Sequence, residues 1–262
     1  MVMRGNWQLR DVITCIQHRQ PLVPLWKSDK PRDRHDIQAR LREIEQGILS
    51  GRLDQPETPI SDYDLWLDGR LQNDRDVTWF MEQTLSASIT VCRLLGEAFL
   101  RKDQLEDALI GDTAHAVGFD IARHGEKSIR QALDQIAASY TGHLDEPNKA
   151  FGAMYQDFNG KNPVEDEFVP FLNILRECIR DHWPIAPGET LLGEVVTERR
   201  MHSLVTAAHE IGIGVQVIEH FLLEAGALPK QDDRPSSRRV FDAQVHAELL
   251  RDPHPCRTQG HA

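Results

Sequence analysis

Cys15 and His18 are two side chains whose types and spacing suggest metal chemistry. A thiolate and an imidazole separated by two residues are typical zinc ligands, because this borderline-soft ion binds both well. A structural zinc site is tetrahedral and needs four such ligands. Two of the four ligands are missing, since Cys92 lies on a predicted buried helix face and His35 is a distant candidate. The pair therefore predicts either half of a zinc site or a pair that holds no metal.

Other motifs that could support catalysis are incomplete in this sequence. His209 and Glu210 begin a zinc-protease pattern, but Ile213 occupies the position of its second histidine. Residues 159–161, Asn-Gly-Lys, lack the earlier glycine of a phosphate-binding loop, and no Gly-x-Ser-x-Gly nucleophile elbow occurs. Acidic residues are abundant, but no three of them stand out as a nuclease triad. The sequence therefore predicts a protein that is not an enzyme.

The composition favours a helical chain that does not coat nucleic acid. Its 262 residues can form one large or two small domains, and good helix formers dominate. The net charge of −11 argues against nucleic-acid binding by bulk electrostatics, although it leaves room for a local basic surface. No secretion signal or membrane-spanning apolar run is present, and the four cysteines are scattered. These features predict a cytoplasmic protein with reduced thiols.

Residues 203–229 predict a helix-turn-helix, the best-defined local feature of the sequence. The apolar faces of its two helices are Leu204, Ala207, Ala208 and Ile211 in the first and Val217, Ile218, Phe221 and Leu222 in the second. Gly212, Ile213 and Gly214 form the predicted turn, with Gly212 left-handed and Ile213 filling the corner. Such a unit reads DNA or docks on a partner. The same pattern also fits a plain pair of helices in a bundle.

The outward side chains of this motif define the candidate contact surface. The outward positions of the second helix include no Lys or Arg, although a helix in a DNA groove usually needs cations. Arginines flank the motif on both sides and are better candidates for phosphate contacts; the alternative is a solvated rim or local ion pairs. The predicted DNA or partner contacts are Arg199, Arg200, Gln216, Glu219, His220, Arg238 and Arg239.

Around this motif, apolar periodicity and Gly/Pro-rich breaks predict further helices and very few strands. The predicted helices are 36–48, one opening at Ser61, 77–101, one or two within 104–123, 126–141, 147–158, one from Pro163 to Trp183, and 237–251. The strand candidates are 7–12 and a small hairpin within 191–196. Residues 107–138 are a second helix-turn-helix candidate that turns at Gly118 or Gly125, or an ordinary helix pair.

The predicted fold is all-α: a bundle-like domain followed by a helix-turn-helix domain, after an irregular N-terminal segment. The predicted domains are residues 1–35, a remnant of a zinc module; 36–184, the central helical domain; and 185–262, the helix-turn-helix domain with its tail.

Five blocks along the chain carry a family resemblance: 4–22, 117–129, 149–155, 185–193 and 198–204. In this order they resemble the TniQ family, the target-selection proteins of heteromeric bacterial transposons. The first block resembles the family's zinc segment, in which a Trp and an apolar residue lead to Cys-x-x-His and then a Leu. The second resembles its Gly-Phe-x-x-Ala-x-x-Gly region. The order of the blocks over nearly the whole chain is the stronger signal.

The resemblance implies a non-catalytic adaptor in DNA transposition that helps to choose the insertion site. Such an adaptor engages target DNA, weakly when alone, or a target-bound partner, and it recruits an AAA+ ATPase. Family members also carry a Cys-x-x-Cys pair upstream of Cys15 and His18. This chain begins too late to hold that pair, so we expect an N-terminally shortened member whose Zn²⁺ binding is in doubt.

Two other interpretations remain open at this stage. One is a helix-turn-helix transcriptional regulator that binds an operator as a dimer, and the other is an inactive truncated remnant. The sequence leaves the oligomeric state open.

Overall fold

The computed structural model describes residues 5–24, 37–102, 107–142, 146–159, 166–244 and 247, with backbone alone for 107–112. The chain divides into two compact units, Met1–Val77 and Thr78–Ala262. Most described residues are helical and the strands among them are two or three residues long, which confirms the predicted helical class. No helix in the described ranges is long and apolar enough to span a membrane. The predicted domain boundaries at 35 and 184 stay predictions.

Among its described residues, the first unit contains a 3-10 helix, a small hairpin and two α-helices. Its elements are the 3-10 helix Gly5–Gln8, β1 Thr14–Cys15, β2 Gln20–Pro21, α1 Ile37–Leu49 and α2 Asp62–Asn73. The strand predicted over 7–12 is wrong, because the amide groups of Leu9 and Val12 donate to nearby carbonyls and form local turns instead of a ladder. The strands lie further on, where β1 pairs antiparallel with β2.

Helix α2 begins where the sequence predicts, at a capping box. The Ser61 hydroxyl accepts from the amide of Asp64 at 3.1 Å, and the Asp64 carboxylate accepts from the amide of Ser61 at 2.9 Å. On this helix Leu65 is 52% exposed, while Tyr63 and Trp66 are buried. The two aromatic rings take the inward positions, where they bury more apolar area than leucine does.

The second unit is built from eight α-helices among its described residues, with two short strand pairs. Its elements are α3 Leu85–Arg101, α4 Asp107–Ala122, α5 Glu126–Ser139, α6 Pro147–Phe151, α7 Ala153–Asn159, α8 Val169–His182, β3 Thr190–Leu191, β4 Glu194–Val195, β5 Met201–Ser203, α9 Leu204–Ile211, α10 Val215–Glu224 and β6 Val240–Asp242; the 3-10 helices are Trp79–Glu82 and Asp166–Phe168.

Two predicted helices are each divided in the structure. The helix predicted over 77–101 is a 3-10 turn followed by α3, because the Thr84 hydroxyl accepts from the amide of Ala87 and caps a new helix there. The helix predicted over 147–158 is α6 followed by α7. The break lies at Gly152, whose φ of +53° is outside the helical range.

Helices α3 and α4 pack backbone against backbone at two glycines. A Cβ atom on Gly118 would lie 1.8 Å from the carbonyl oxygen of Cys92, and one on Gly96 would lie 1.8 Å from that of Ala114. Gly118 is therefore inside α4 and is not a turn. The turn between α4 and α5 lies at Gly125, which has a φ of +94°.

The C-terminal part of this unit contains both strand pairs. β3 and β4 form the hairpin predicted within 191–196. β6 pairs antiparallel with β5, in register Met201 with Asp242, so the helix predicted over 237–251 is wrong at 240–242. Val240 and Phe241 favour extended backbone, and the Phe241 ring is buried against the neighbouring helices. Residues 248–251 of that prediction lie outside the described residues.

Candidate functional site

Helices α9 and α10, called here the helix pair, meet at the glycine that the sequence singles out. Ser203 and Thr206 form a capping box at the start of α9. Gly212 ends α9 in the left-handed conformation, with φ +76°, and its amide donates to the carbonyl of Ala208 at 2.9 Å. Ile213 follows and is partly buried against the core of the pair, and Gly214 returns to extended backbone before α10.

The helix pair has its own apolar core, to which β6 contributes one ring. The buried members of this core are Leu204, Ala207, Ala208, Ile218, Leu222, Leu228 and Phe241. Val217 was predicted to face this core, but it is 46% exposed. Ile218 and Leu222, one helical turn apart, take the inward positions of α10, and Val217 lies about 100° around the helix from Ile218.

The outward face of α10 is formed by Gln216, Val217, His220 and Glu224, and it is called here the α10 face. All four residues are exposed. His220 Nε2 lies 3.3 Å from Glu224 Oε1. The sequences of α9 and α10 contain no Lys or Arg. This face therefore presents one apolar, two polar or weakly basic and one acidic side chain, and no fixed cation.

Arg238, one of the predicted phosphate contacts, lies inside the protein. Its guanidinium stacks 4.3 Å from the ring centroid of Trp183 and donates to the carbonyl of Ala137 at 3.5 Å. The residue is 3% exposed. A guanidinium buried in this way does not reach a phosphate outside the protein, so we withdraw Arg238 from the predicted contact surface.

Arg239 and Glu219, two further predicted contacts, form an ion pair with each other. Arg239 is 8% exposed and donates to the carboxylate of Glu219, and its Nε lies 3.9 Å from Asp232. The carboxylate of Asp232 accepts from Arg234, and this hydrogen bond lowers the pKa of Asp232, aided by the charge of Arg239. We therefore also withdraw Arg239 from the predicted contact surface. Glu219 is half-buried and lies at the margin of that surface.

Arg199 and Arg200 precede the helix pair and are half-buried. Arg200 donates to the carboxylates of Glu177 and Asp181 on α8, at 2.9 and 2.8 Å. Arg199 donates to the carbonyl of Pro184 at 3.3 Å. The Arg200 contacts are the local ion pairs that were the alternative to phosphate binding, whereas the Arg199 contact is a hydrogen bond to the backbone. All four flanking arginines thus contact the second unit itself.

His202 lies beneath the start of α9 and was not among the predicted site residues. Its ring stacks on Phe241, with centroids 6.0 Å apart, and Nε2 lies 3.6 Å from the carboxylate of Glu210. Burial lowers the pKa of His202, and the nearby charge of Arg199 lowers it further. The neutral imidazole is therefore part of the packing of the helix pair.

Cys15 and His18 lie together in the β1–β2 hairpin, with Sγ 3.3 Å from Nδ1. The turn between the strands passes through Arg19, which is left-handed with φ +53°. Within the described ranges, these two side chains do not belong to any cluster of three or more ligand atoms. Two donors do not fit the four-coordinate site that structural zinc needs, so we assign no function to zinc at this pair.

A different set of side chains in the second unit does bring three ligand atoms together. Asp134 on α5 and Cys178 and His182 on α8 place one ligand atom each within 4.8 Å of the others. Sequence reasoning missed this group, although the spacing of Cys178 and His182 by one helical turn was a readable signal.

No family model, curated protein or solved structure matches the chain. The interpretation of its function therefore depends on the residues and their geometry.

Proposed function

We propose that this protein is a non-catalytic adaptor in DNA transposition, which helps to select the insertion site and recruits an AAA+ ATPase. The proposal combines the ordered resemblance to the TniQ family with the geometry of the helix pair. The observation that carries it is the α10 face, which offers Gln216, Val217, His220 and Glu224 on a supported helix without any fixed cation.

The charge of this region favours a protein over DNA as the direct ligand of the helix pair. DNA-binding surfaces owe much of their affinity to Lys and Arg that neutralise phosphates. Between Glu198 and Gln244 there are seven carboxylates and six cations, but Arg238 and Arg239 are buried and Arg200 is held by two carboxylates. A helix that carried Glu224 into a groove would meet phosphate repulsion. The adaptor therefore reaches its target through a target-bound partner.

The composition of the α10 face is that of a small protein-docking surface. An exposed valine provides apolar area, and the surrounding polar side chains provide hydrogen bonds at the rim. The transposase chemistry belongs to another protein, as the resemblance implies.

A reconstituted transposition assay with mapped insertion sites tests this proposal. Val217→Asp places a charge at the centre of the α10 face without touching the core of the helix pair. Val195→Asp is a control, because Val195 is also an exposed valine, at 58% against 46% for Val217, and it lies on β4 of the same unit. We expect Val217→Asp, but not the control, to lose site selection and co-purification with the ATPase or the target-bound partner.

Two outcomes contradict the proposal. Unchanged site selection by Val217→Asp removes the role of the α10 face. Footprinting that shows the purified chain alone protecting a two-fold symmetric site favours the transcriptional regulator instead. Fluorescence anisotropy on random duplex DNA provides a second measure, for which we expect weak binding with a shallow salt dependence.

A further inference from the structure

The Asp134–Cys178–His182 group has the spacing of a metal site. Cys178 Sγ lies 3.5 Å from Asp134 Oδ1 and 3.9 Å from His182 Nδ1, and these two atoms are 3.7 Å apart. Tetrahedral ligands at ordinary zinc bond lengths are separated by about 3.3 to 3.6 Å. The separation of 3.5 Å lies within this range, and those of 3.7 and 3.9 Å exceed it by about 0.1 and 0.3 Å, which small side-chain rotations can close.

From this geometry we infer that Asp134, Cys178 and His182 bind one divalent ion of the zinc class. A thiolate, an imidazole and a carboxylate together are the donor set that a borderline-soft ion prefers over magnesium or calcium. Both helices fix the donors in place, with Cys178 and His182 one turn apart on α8 and Asp134 facing them from α5. Three protein ligands leave one coordination position for water. This inference does not depend on the proposed function.

Access and protonation are compatible with binding. The side chains of Asp134 and His182 are 39% and 30% exposed, so an ion can enter from solvent, while Cys178 is fully buried. Without an ion, the Cys178 thiol donates to Asp134 Oδ1 at 3.5 Å. On binding, the sulfur–metal bond replaces the S–H bond and the proton passes to solvent.

The imidazole of His182 changes tautomer in the same step. Its Nδ1 lies 2.9 Å from the carbonyl oxygen of Cys178 and carries the ring proton in that hydrogen bond. When Nδ1 binds the ion, the proton resides on Nε2, which is the other tautomer of the neutral ring. The cost is one hydrogen bond to a backbone carbonyl.

Arg130 is the group that most directly opposes a cation here. Its Nε donates to Asp134 Oδ1 at 2.8 Å, and its other end donates to Asp181 at 2.6 Å. Asp181 in turn accepts from Arg200. A carboxylate oxygen that accepts one hydrogen bond retains a second lone pair, and ligating carboxylates are commonly held by such donors. Arg130 therefore orients the carboxylate of Asp134. Its positive charge weakens the affinity for a metal ion but does not block the site.

Cobalt titration of the full chain, stripped with a chelator and kept reduced, tests the inference. Co²⁺ bound to a thiolate gives a charge-transfer band in the near ultraviolet. We expect one Co²⁺ per chain with this band, displaced by Zn²⁺, in the wild type and in Cys15→Ser. The band is absent in Cys178→Ser, and His182→Gln binds at least about tenfold more weakly, the lower bound for losing a group that supports a metal site.

The variants also separate this site from the hairpin pair and from a folding defect. Asp134→Asn keeps an oxygen that accepts from Arg130 but removes the charge, so it weakens cobalt binding while circular dichroism stays native. If Cys178→Ser does not fold, His182→Gln and Asp134→Asn test the inference instead. Both side chains are partly exposed, so we expect these two variants to fold. The inference is overturned if the wild type gives no thiolate band, or if the band disappears in Cys15→Ser and persists in the other variants.

Discussion

Replacing Gly118 with alanine should destabilise the second unit strongly for such a small change. The new Cβ would lie 1.8 Å from the carbonyl oxygen of Cys92, whereas real Cβ atoms essentially never approach closer than 3.0 Å. The two helices must therefore separate by about 1.2 Å at this point, because the obstacle is backbone and has no rotamer to change. Gly96 on α3 lies equally close to the backbone of α4, since a Cβ atom there would lie 1.8 Å from the carbonyl oxygen of Ala114.

The magnitude follows from two opposing effects. Adding a methyl group to a tightly packed interior costs about 1 to 3 kcal/mol, and a rigid backbone obstacle belongs at the upper end of that range. Alanine is favoured over glycine in a helix by about 1 kcal/mol. The net loss is about 2 kcal/mol, which corresponds to a fall in melting temperature of about 4 to 8 °C for a unit of this size.

Differential scanning calorimetry with hydrogen exchange at α3 and α4 measures this effect. Gly69→Ala is the matched control, because Gly69 is also inside a helix, α2, but has nothing within 4 Å of the added Cβ. The control should be neutral or stabilising, by up to about 1 kcal/mol. The reasoning fails if Gly118→Ala melts at or above the wild-type temperature, or if both substitutions have the same sign.

Three further predictions concern the helix pair. Gly212→Val forces a β-branched residue to a φ of +76° and should cost about 1 to 3 kcal/mol in thermal unfolding; an unchanged melting curve argues against the left-handed turn. Arg239→Met removes the hydrogen bond to Glu219 and should lower the free energy of unfolding by about 1.5 to 3 kcal/mol. The control Arg199→Met, at a half-buried residue, should lower it by less than about 1 kcal/mol. Equal losses in the two variants contradict the role of burial. Because burial lowers the pKa of His202 below 6.5, the unfolded chain takes up its proton first as the pH falls. The free energy of unfolding should therefore decrease as the pH drops through 6.5. Denaturant unfolding at a series of pH values measures this decrease in the wild type and in His202→Gln. If the variant shows the same dependence of stability on pH as the wild type, His202 is not the cause.

Features set by neighbouring residues were predictable from the sequence. The capping box at Ser61, the hairpin within 191–196 and the end of α9 at Gly212 all depend on a few adjacent residues with strong local preferences. The breaks before α3 and at Gly152 were also local, but they were hidden within apolar runs that fit one continuous helix.

Features set by distant residues were not predictable in this way. Arginines beside a helical motif look the same whether they face a phosphate or the interior, and the carbonyl that Arg238 contacts lies 101 positions earlier in the chain. The pairing of β6 with β5 likewise depends on a partner some forty residues away, so an apparently helical pattern near 240 became a strand. The Asp134–Cys178–His182 group could not be predicted either, because its members come together only where α5 packs against α8.

The strand pair β5–β6 brings together the two ends of the segment that contains the helix pair. Met201 and Asp242 lie opposite each other, so the chain enters and leaves this segment at one place. A stretch whose ends adjoin can be exchanged for a homologous one without rerouting the rest of the fold, as in domain insertion. Residues 201–242 are thus a segment that can be exchanged as a unit. A replacement segment that retains Arg238 keeps the stacking of its guanidinium on Trp183, which anchors the segment to the rest of the second unit.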